Sequence, residues 1–340
     1  SVTEARRLDG RDPVPTIDAL RRTSLLQVDT RPSVPRFRFL SPVRQFAWEQ
    51  LDRADQRDAR ACHGGWVAHV LSDICAGTRS ADERDAWAEL ARRQPEVDAA
   101  LSAGGPDIVS AVLARLAELS AMRPNAEDGR RFTDAVGRRV EDPWVLAGAA
   151  QARVITGDLD DGLRLARRAV RRAARDALDP PWLARWIDAA TPLFAGNARA
   201  ARRRLQRVAV TPGTWEAAFF GTQVAFAAAA ASDADAVDVA ARALHEARQI
   251  GNPTCLAWAR CALGSALLDI DPDAALAEFD AAVQHATDVG NQIVTGIARP
   301  RAAALRTSLP GAIGATLGDE LAEWQRRAIR PHALELLALS

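Results

Sequence analysis

ARQIGNP at 247–253 and ATDVGNQ at 286–292 are the two stretches that decide this fold. They lie 39 residues apart, and Arg260 and Arg299 fall at matching places behind them. The same interval runs upstream. Small or acidic breaks at Gly157-Asp158, Gly196-Asn197, Ser232-Asp233, Asp271-Pro272 and Leu309-Pro310 follow one another at 39, 36, 39 and 38 residues. Between them stand Asp142-Pro143, Asp179-Pro180, Thr211-Pro212 and Asn252-Pro253, which read as helix starts. In such a pair the Asp, Thr or Asn oxygen accepts an orphan amide, and Pro takes the first helical position, where its missing N–H costs nothing. Each unit therefore reads as two helices. Stacked helix pairs bury a core between neighbours and present a surface to a partner, so the expectation is an α-solenoid that binds rather than catalyses.

Working outward, regular pairs occupy 142–176, 179–209, 212–249, 252–288 and 291–340. The last is expected to be irregular because Pro300 and Pro310 interrupt it, as befits a terminal unit. From 52 to 140 the pattern is helical but the repeat is poorer, with helices expected at 57–76, 81–93, 96–102, 108–122 and 128–139. Gly104-Gly105-Pro106 and Arg123-Pro124-Asn125 break them. Residues 1–51 differ again. A helix end at 17–22 precedes a short strand, Leu25-Leu26-Gln27-Val28, a Pro-containing turn at 30–35, and an alternating strand, Arg36-Phe37-Arg38-Phe39-Leu40, which together predict a β-hairpin. Ser41-Pro42 then opens a helix with Val43, Phe46, Ala47 and Leu51 on one face.

Composition narrows the chemistry. The 340 residues are 48% hydrophobic and 26% charged with no net charge, enough for an extended array and against wholesale disorder. All 44 basic residues are Arg. Without Lys the chain can neither complete a P-loop nor form a Schiff base by the usual means. A zero net charge removes the simplest argument for nucleic-acid binding. No apolar run reaches the roughly 18 residues of a membrane span and the start lacks a signal-peptide core, which places the chain in the cytoplasm, off the membrane. Cys62, Cys75, Cys255 and Cys261 are few and irregularly spaced, so they are expected as reduced, buried thiols.

Residues 19–51 resemble the last part of the winged-helix domain in STAND-class signal-transduction ATPases, including LuxR-type, antibiotic-regulator-type and cyclase-linked members of actinobacteria. ALRRTSLLQVD (19–29) is similar to the strand and wing start, and RFRFLSPVRQFAWEQL (36–51) to the wing strand and following helix. The likeness continues through RACHGGWVAHV (60–70), where His63 falls at the family's habitual His, and DERDAWAELARRQPEVDAAL (82–101), which resembles the entry to a tetratricopeptide-like array. Pro95 and Glu96 depart from the polar turn usual there. The resemblance implies a mostly all-α chain: a partial winged helix with its hairpin at 1–51, an irregular helical linker or cap at 52–140, and a right-handed superhelix of tetratricopeptide-like pairs at 141–340. It also implies that ATP binding and a DNA-binding or cyclase output lie elsewhere in a longer polypeptide, with ATP upstream and no cofactor in this chain. That the sequence opens inside a winged helix fits a shortened piece of such a regulator.

The search for catalytic motifs is negative. His245-Glu246 lacks the second His of a zinc-protease helix, Gly264-Ser265 lacks a nucleophile elbow, and Gly311, Gly314 and Gly318 lack dinucleotide spacing. Cys62, His63, His69 and Cys75 are of metal-ligand type without metal-ligand spacing. No catalytic, cofactor or metal residue is assigned, and the chain reads as non-enzymatic.

Two surface features remain. Trp144, Trp182 and Trp215 open successive first helices, with Trp186 a turn further and Trp258 later in its own repeat. Packing between repeats is the plain explanation, and a partner-binding groove the sharper one. On the groove reading Gln151, Arg185, Trp186, Gln223, Arg260 and Arg299 contact a protein, peptide or small-molecule effector. Charge is also segregated: twelve Arg against three Asp over 164–207, ten acids against three Arg over 232–288. Arg164, Arg168, Arg171 and Arg175 share one helix face, and Arg199, Arg203 and Arg207 repeat it on the next second helix. This basic stripe is either a solvated face or the receiver of an acidic surface, including a second copy of the chain. The leading expectation is a sensor region whose groove controls an ATPase switch in transcription regulation. The alternative is a stand-alone scaffold that self-associates through its basic and acidic sections.

Overall fold

Pro143, Pro253 and Pro272 each follow an Asp or Asn whose side chain caps the helix that begins there, as the dipeptides require. The computed structural model describes Asp12 and residues 14–29 and 36–306. Among these are fifteen helices and one hairpin. Their contacts divide the chain into two compact units: one from the N-terminus to Leu71 together with Arg93–Val112, the other Ser72–Arg92 together with everything from Leu113 onward.

The first unit holds α1 (Val14–Arg22), β1 (Leu26–Asp29), β2 (Arg36–Phe39) and α2 (Ser41–Gln50), then parts of α3 (Arg53–Gly77), α4 (Glu83–Ala103) and α5 (Pro106–Ser120). β1 and β2 are antiparallel, with Leu26 opposite Phe39 and Val28 opposite Phe37. The side chain of Leu26 is buried, whereas Val28, Phe39, Leu40, Phe46 and Leu51 are exposed. Gly64 lets α3 approach α5: a Cβ there would lie 2.2 Å from Cγ2 of Ile108.

The second unit continues with α6 (Ala126–Gly137) and four helix pairs: α7 (Pro143–Ile155) with α8 (Leu159–Arg175), α9 (Trp182–Phe194) with α10 (Ala198–Leu205), α11 (Trp215–Ala230) with α12 (Ala236–Ile250), and α13 (Pro253–Leu267) with α14 (Pro272–Asp288). α15 (Gln292–Arg306) opens the next pair. From α6 to α15 each helix packs on its successor, and α7, α9, α11, α13 and α15 also touch one another in order. This is the tetratricopeptide-like α-solenoid. The two Gly-Asn dipeptides make equivalent turns, since Gly251 (φ +72°) and Gly290 (φ +66°) take the left-handed conformation that ends a helix cheaply only for Gly. Asn252 and Asn291 then cap the following helices through the amides of Cys255 and Val294.

Several expected boundaries move. α4 is one helix through Pro95, not the two expected at 81–93 and 96–102. Val97 and Ala100, buried beyond the proline, hold the second half in line despite the lost hydrogen bond. α15 likewise runs through Pro300, which is itself buried, as are Ala298 and Ala302, so this proline does not interrupt the last described helix. Pro310 lies outside the described residues. α11 starts at Trp215 with Thr214 as its cap, because Thr211-Pro212-Gly213 forms a turn with Gly213 at φ +76°. α9 starts at Trp182 rather than at Asp179-Pro180.

Of the four thiols, Cys62 is exposed and Cys75, Cys255 and Cys261 are buried. Burial pushes the Cys75 and Cys255 thiols far up from their ordinary range, so neither presents a thiolate near neutrality. An aromatic disulfide reagent is therefore expected to titrate a single thiol in the native chain and all four after unfolding. Two or more fast-reacting native thiols would contradict this packing.

Candidate functional site: the face of the first helices

The five first helices touch in order, and aromatic rings join the first four of them, from α7 to α13. Trp144, Trp182 and Trp215 step from helix to helix with ring centroids 6.3 and 5.2 Å apart, and Trp215 stacks on Phe219. Such edge-to-face contacts add about 0.5–1.5 kcal/mol each beyond the area they bury. These tryptophans are thus the mortar between repeats, with Trp182 and Trp215 almost fully buried.

The side chains expected to line a groove are mostly spoken for. Gln151 is buried and donates to the Ala121 carbonyl at 3.0 Å. The indole N–H of Trp186 donates to Gln223 at 3.0 Å, joining two members of the expected set. Arg185 pairs with Glu216 and donates to the Ala209 carbonyl, while Arg260 pairs with Glu278 at 2.9 Å. Arg299 is exposed on α15.

What lies against the first-helix layer is the chain itself, and the key group is Glu83, in the first turn of α4. Its side chain is 1% exposed. Oε1 accepts from the Trp87 indole at 3.1 Å and the Thr254 hydroxyl at 2.7 Å, and Oε2 from the Asn252 amide at 3.0 Å and the Thr254 backbone N–H at 2.9 Å. All four lone-pair directions are used. Thr254 lies in the first turn of α13, so Glu83 satisfies an orphan amide of a helix 171 residues away and places a carboxylate at its positive end. Asn252 completes the hub by donating to the carbonyls of Thr78 and Ser80 and accepting from the Trp215 indole.

Around this hub Arg79 lies over the Trp215 ring at 5.5 Å and Arg123 over Trp87 at 4.2 Å. Arg123 also fills the space beside Gly290, where a Cβ would meet its guanidinium at 2.7 Å. Residues 78–87 and 121–123 therefore form a strap bonded to α7, α11, α13 and the turn before α15. Burial raises the Glu83 carboxyl above the usual glutamate range, its hydrogen bonds to Thr254 and Trp87 opposing that shift.

The fold has a structural counterpart. Over 99% of its length the chain matches, with a TM-score of 0.51 and 14% identity, the signal transduction ATPase with numerous domains (STAND) protein with a tetratricopeptide repeat sensor from Pyrococcus horikoshii. That likeness shows the fold, a helical-repeat architecture of tetratricopeptide type. The chain spans about half of the STAND protein's length. No family model and no curated protein matches the sequence.

The basic stripe is mostly neutralised or open to water. Arg164 pairs with Asp161, Arg168 with Glu141 and Arg199 with Asp233, at side chains between 17% and 71% exposed. Arg171, Arg175, Arg203 and Arg207 are exposed and form no ion pair among the described residues. Exposed pairs of this kind contribute about 0–1 kcal/mol each. Arg202, absent from the expected stripe, makes the strongest link: it bridges Asp233 at 2.6 Å and Asp235 at 2.7 Å and joins the basic section to the acidic one. Among the described residues no group of three or more His, Cys, Asp or Glu could hold a metal, and no helix is long and apolar enough to cross a membrane.

Glu83 and Thr254 were invisible to motif reading. An acid in the first turn of a helix ordinarily reads as a solvated partner for the helix dipole, and nothing local in the sequence couples positions 83 and 254. The repeated Gly-Asn turn was the one available signal, because it singled out Asn252.

Proposed function

We propose that this chain is the sensor and interaction region of a STAND-type regulator, working in the cytoplasm as part of a transcriptional switch. On this reading its repeats bind a protein, peptide or small-molecule effector and thereby bias an ATPase encoded in the same polypeptide. The observation that carries it is the end-to-end fold match to a STAND protein with a repeat sensor. Two features of the chain agree. Val28, Phe39, Leu40, Phe46 and Leu51 are exposed around the hairpin and α2, the apolar surface a partial winged helix presents where the rest of its domain packs. The strap, in turn, ties the repeats to the start of α4. An effector that competes with Glu83 for Asn252 and Thr254 is felt in α4, provided it binds the two states unequally.

The test is ATP turnover by the full-length polypeptide, with and without the repeats from residue 141 onward. Coupling of ordinary size changes turnover by about 5-fold or more. Unchanged turnover and assembly after removal would sink the sensor reading.

A further inference from the structure

A cleft of about 770 Å³ opens between α6, α7 and the turn that precedes α6, within the size range of small-molecule sites. Its body is apolar, with Phe132 at the floor and Ile155 on the wall. Three of the side chains lining it, Arg123, Arg130 and Arg153, are cationic, and no acid lines it. The nearby acids of α6 are committed: Glu127 pairs with Arg131, and Asp128 accepts from Ser120 and Asn125. Arg153 is paired with Asp161 at 3.1 Å. The other two cations are less satisfied. Arg123 stacks on Trp87, but its buried Nε–H has no acceptor. Arg130 is exposed and forms no ion pair among the described residues.

An apolar cavity with an unpaired Arg130 and an unmet Nε–H of Arg123 at its rim selects a particular ligand chemistry. A neutral apolar molecule leaves the cations unused, and a bare inorganic anion leaves the apolar wall wet. We propose that this cleft binds a small organic anion with an apolar body, an aliphatic or aromatic carboxylate or sulfonate. Its charge is held by Arg130 and Arg123 and its body lies against Phe132 and Ile155. The inference deepens the sensor reading, and rests on it only for what binding would signal; occupancy of the cleft is a property of this chain alone.

The probe is 8-anilinonaphthalene-1-sulfonate, titrated against its neutral relative N-phenyl-1-naphthylamine. The sulfonate is expected to saturate one site. Arg130→Gln alters an exposed, unpaired side chain and should weaken the sulfonate about 5-fold while leaving the neutral dye within about twofold. Thr156→Trp places an indole at the exposed mouth and should weaken both dyes. Decanoate should displace the sulfonate, and 1-decanol at the same concentration should not.

Sulfonate binding indifferent to Arg130→Gln, or equal displacement by decanol, would overturn the anionic assignment. Indifference of both dyes to Thr156→Trp would place any binding elsewhere, and absence of a saturable site would remove the proposal. The sensor reading fails separately, on ATP turnover.

Discussion

Glu83→Ala is expected to destabilise the second unit by about 3–5 kcal/mol, the usual cost of removing one member of a buried, fully bonded polar cluster. The substitution deletes a single carboxylate but strands three donors, the Trp87 indole and the Thr254 amide and hydroxyl, while Asn252 keeps the Thr78 and Ser80 carbonyls. The two on Thr254 have no water to turn to, since that residue is 1% exposed. Glu83→Gln separates charge from geometry. Its amide carbonyl serves the Trp87 indole and the Thr254 hydroxyl, and its NH₂ faces Asn252, which keeps its two carbonyls, and the Thr254 N–H, so the loss falls to about 1–3 kcal/mol for one unmet buried group.

The pH dependence gives a second readout from the same residue. A carboxyl whose pKa is raised by folding binds its proton more tightly in the native state than in the unfolded chain. Its contribution is therefore fully present below the ordinary glutamate range and falls as pH rises through the raised value. Chemical denaturation of Glu83→Gln should lose that downward trend. A wild-type stability that rises across the same window, with no difference in the variant, would contradict the burial of Glu83.

The repeat was legible because its physics is local. Gly-Asn needs only a left-handed turn and an N-cap, and both occur at 251–252 and 290–291 within a few residues of one another. The tryptophans were legible as repeat-spaced residues, but their packing role emerged only from ring geometry. The expected groove residues show where local reading ends. Gln151, Trp186 and Gln223 carry the polar groups a binding surface needs, yet the same groups satisfy carbonyls and indoles inside the unit. Sequence cannot distinguish a polar side chain waiting for a ligand from one already bonded to its own chain, because the partner lies tens to hundreds of positions away. Pro95 and Pro300 misled for a related reason: a proline costs one backbone hydrogen bond, and the burial of Val97, Ala298 and Ala302 outweighs it.

Phe279→Ala is the second substitution with a large expected effect, and it tests what the strap does to cooperativity. Phe279 is 0% exposed in α14 and packs so closely on α13 that a Cβ at Gly264 would lie 3.0 Å from its ring. Removing a buried ring of this kind costs about 3–5 kcal/mol. In an array held only by nearest-neighbour contacts, such a lesion melts the damaged end first and leaves the remaining repeats folded. Here α13 is also bonded to α4 through Glu83, Asn252 and Thr254, so the end of the array cannot leave without breaking the hub.

The expected result is one cooperative transition at a lower midpoint for Phe279→Ala, and two separated transitions once Glu83→Ala is added. Hydrogen exchange locates them: α13 to α15 should open together with α7 to α11 in the single variant and ahead of them in the double. If α13 to α15 already open first in Phe279→Ala alone, the strap adds no cooperativity, and the bonds at Glu83 stabilise only the turn they touch.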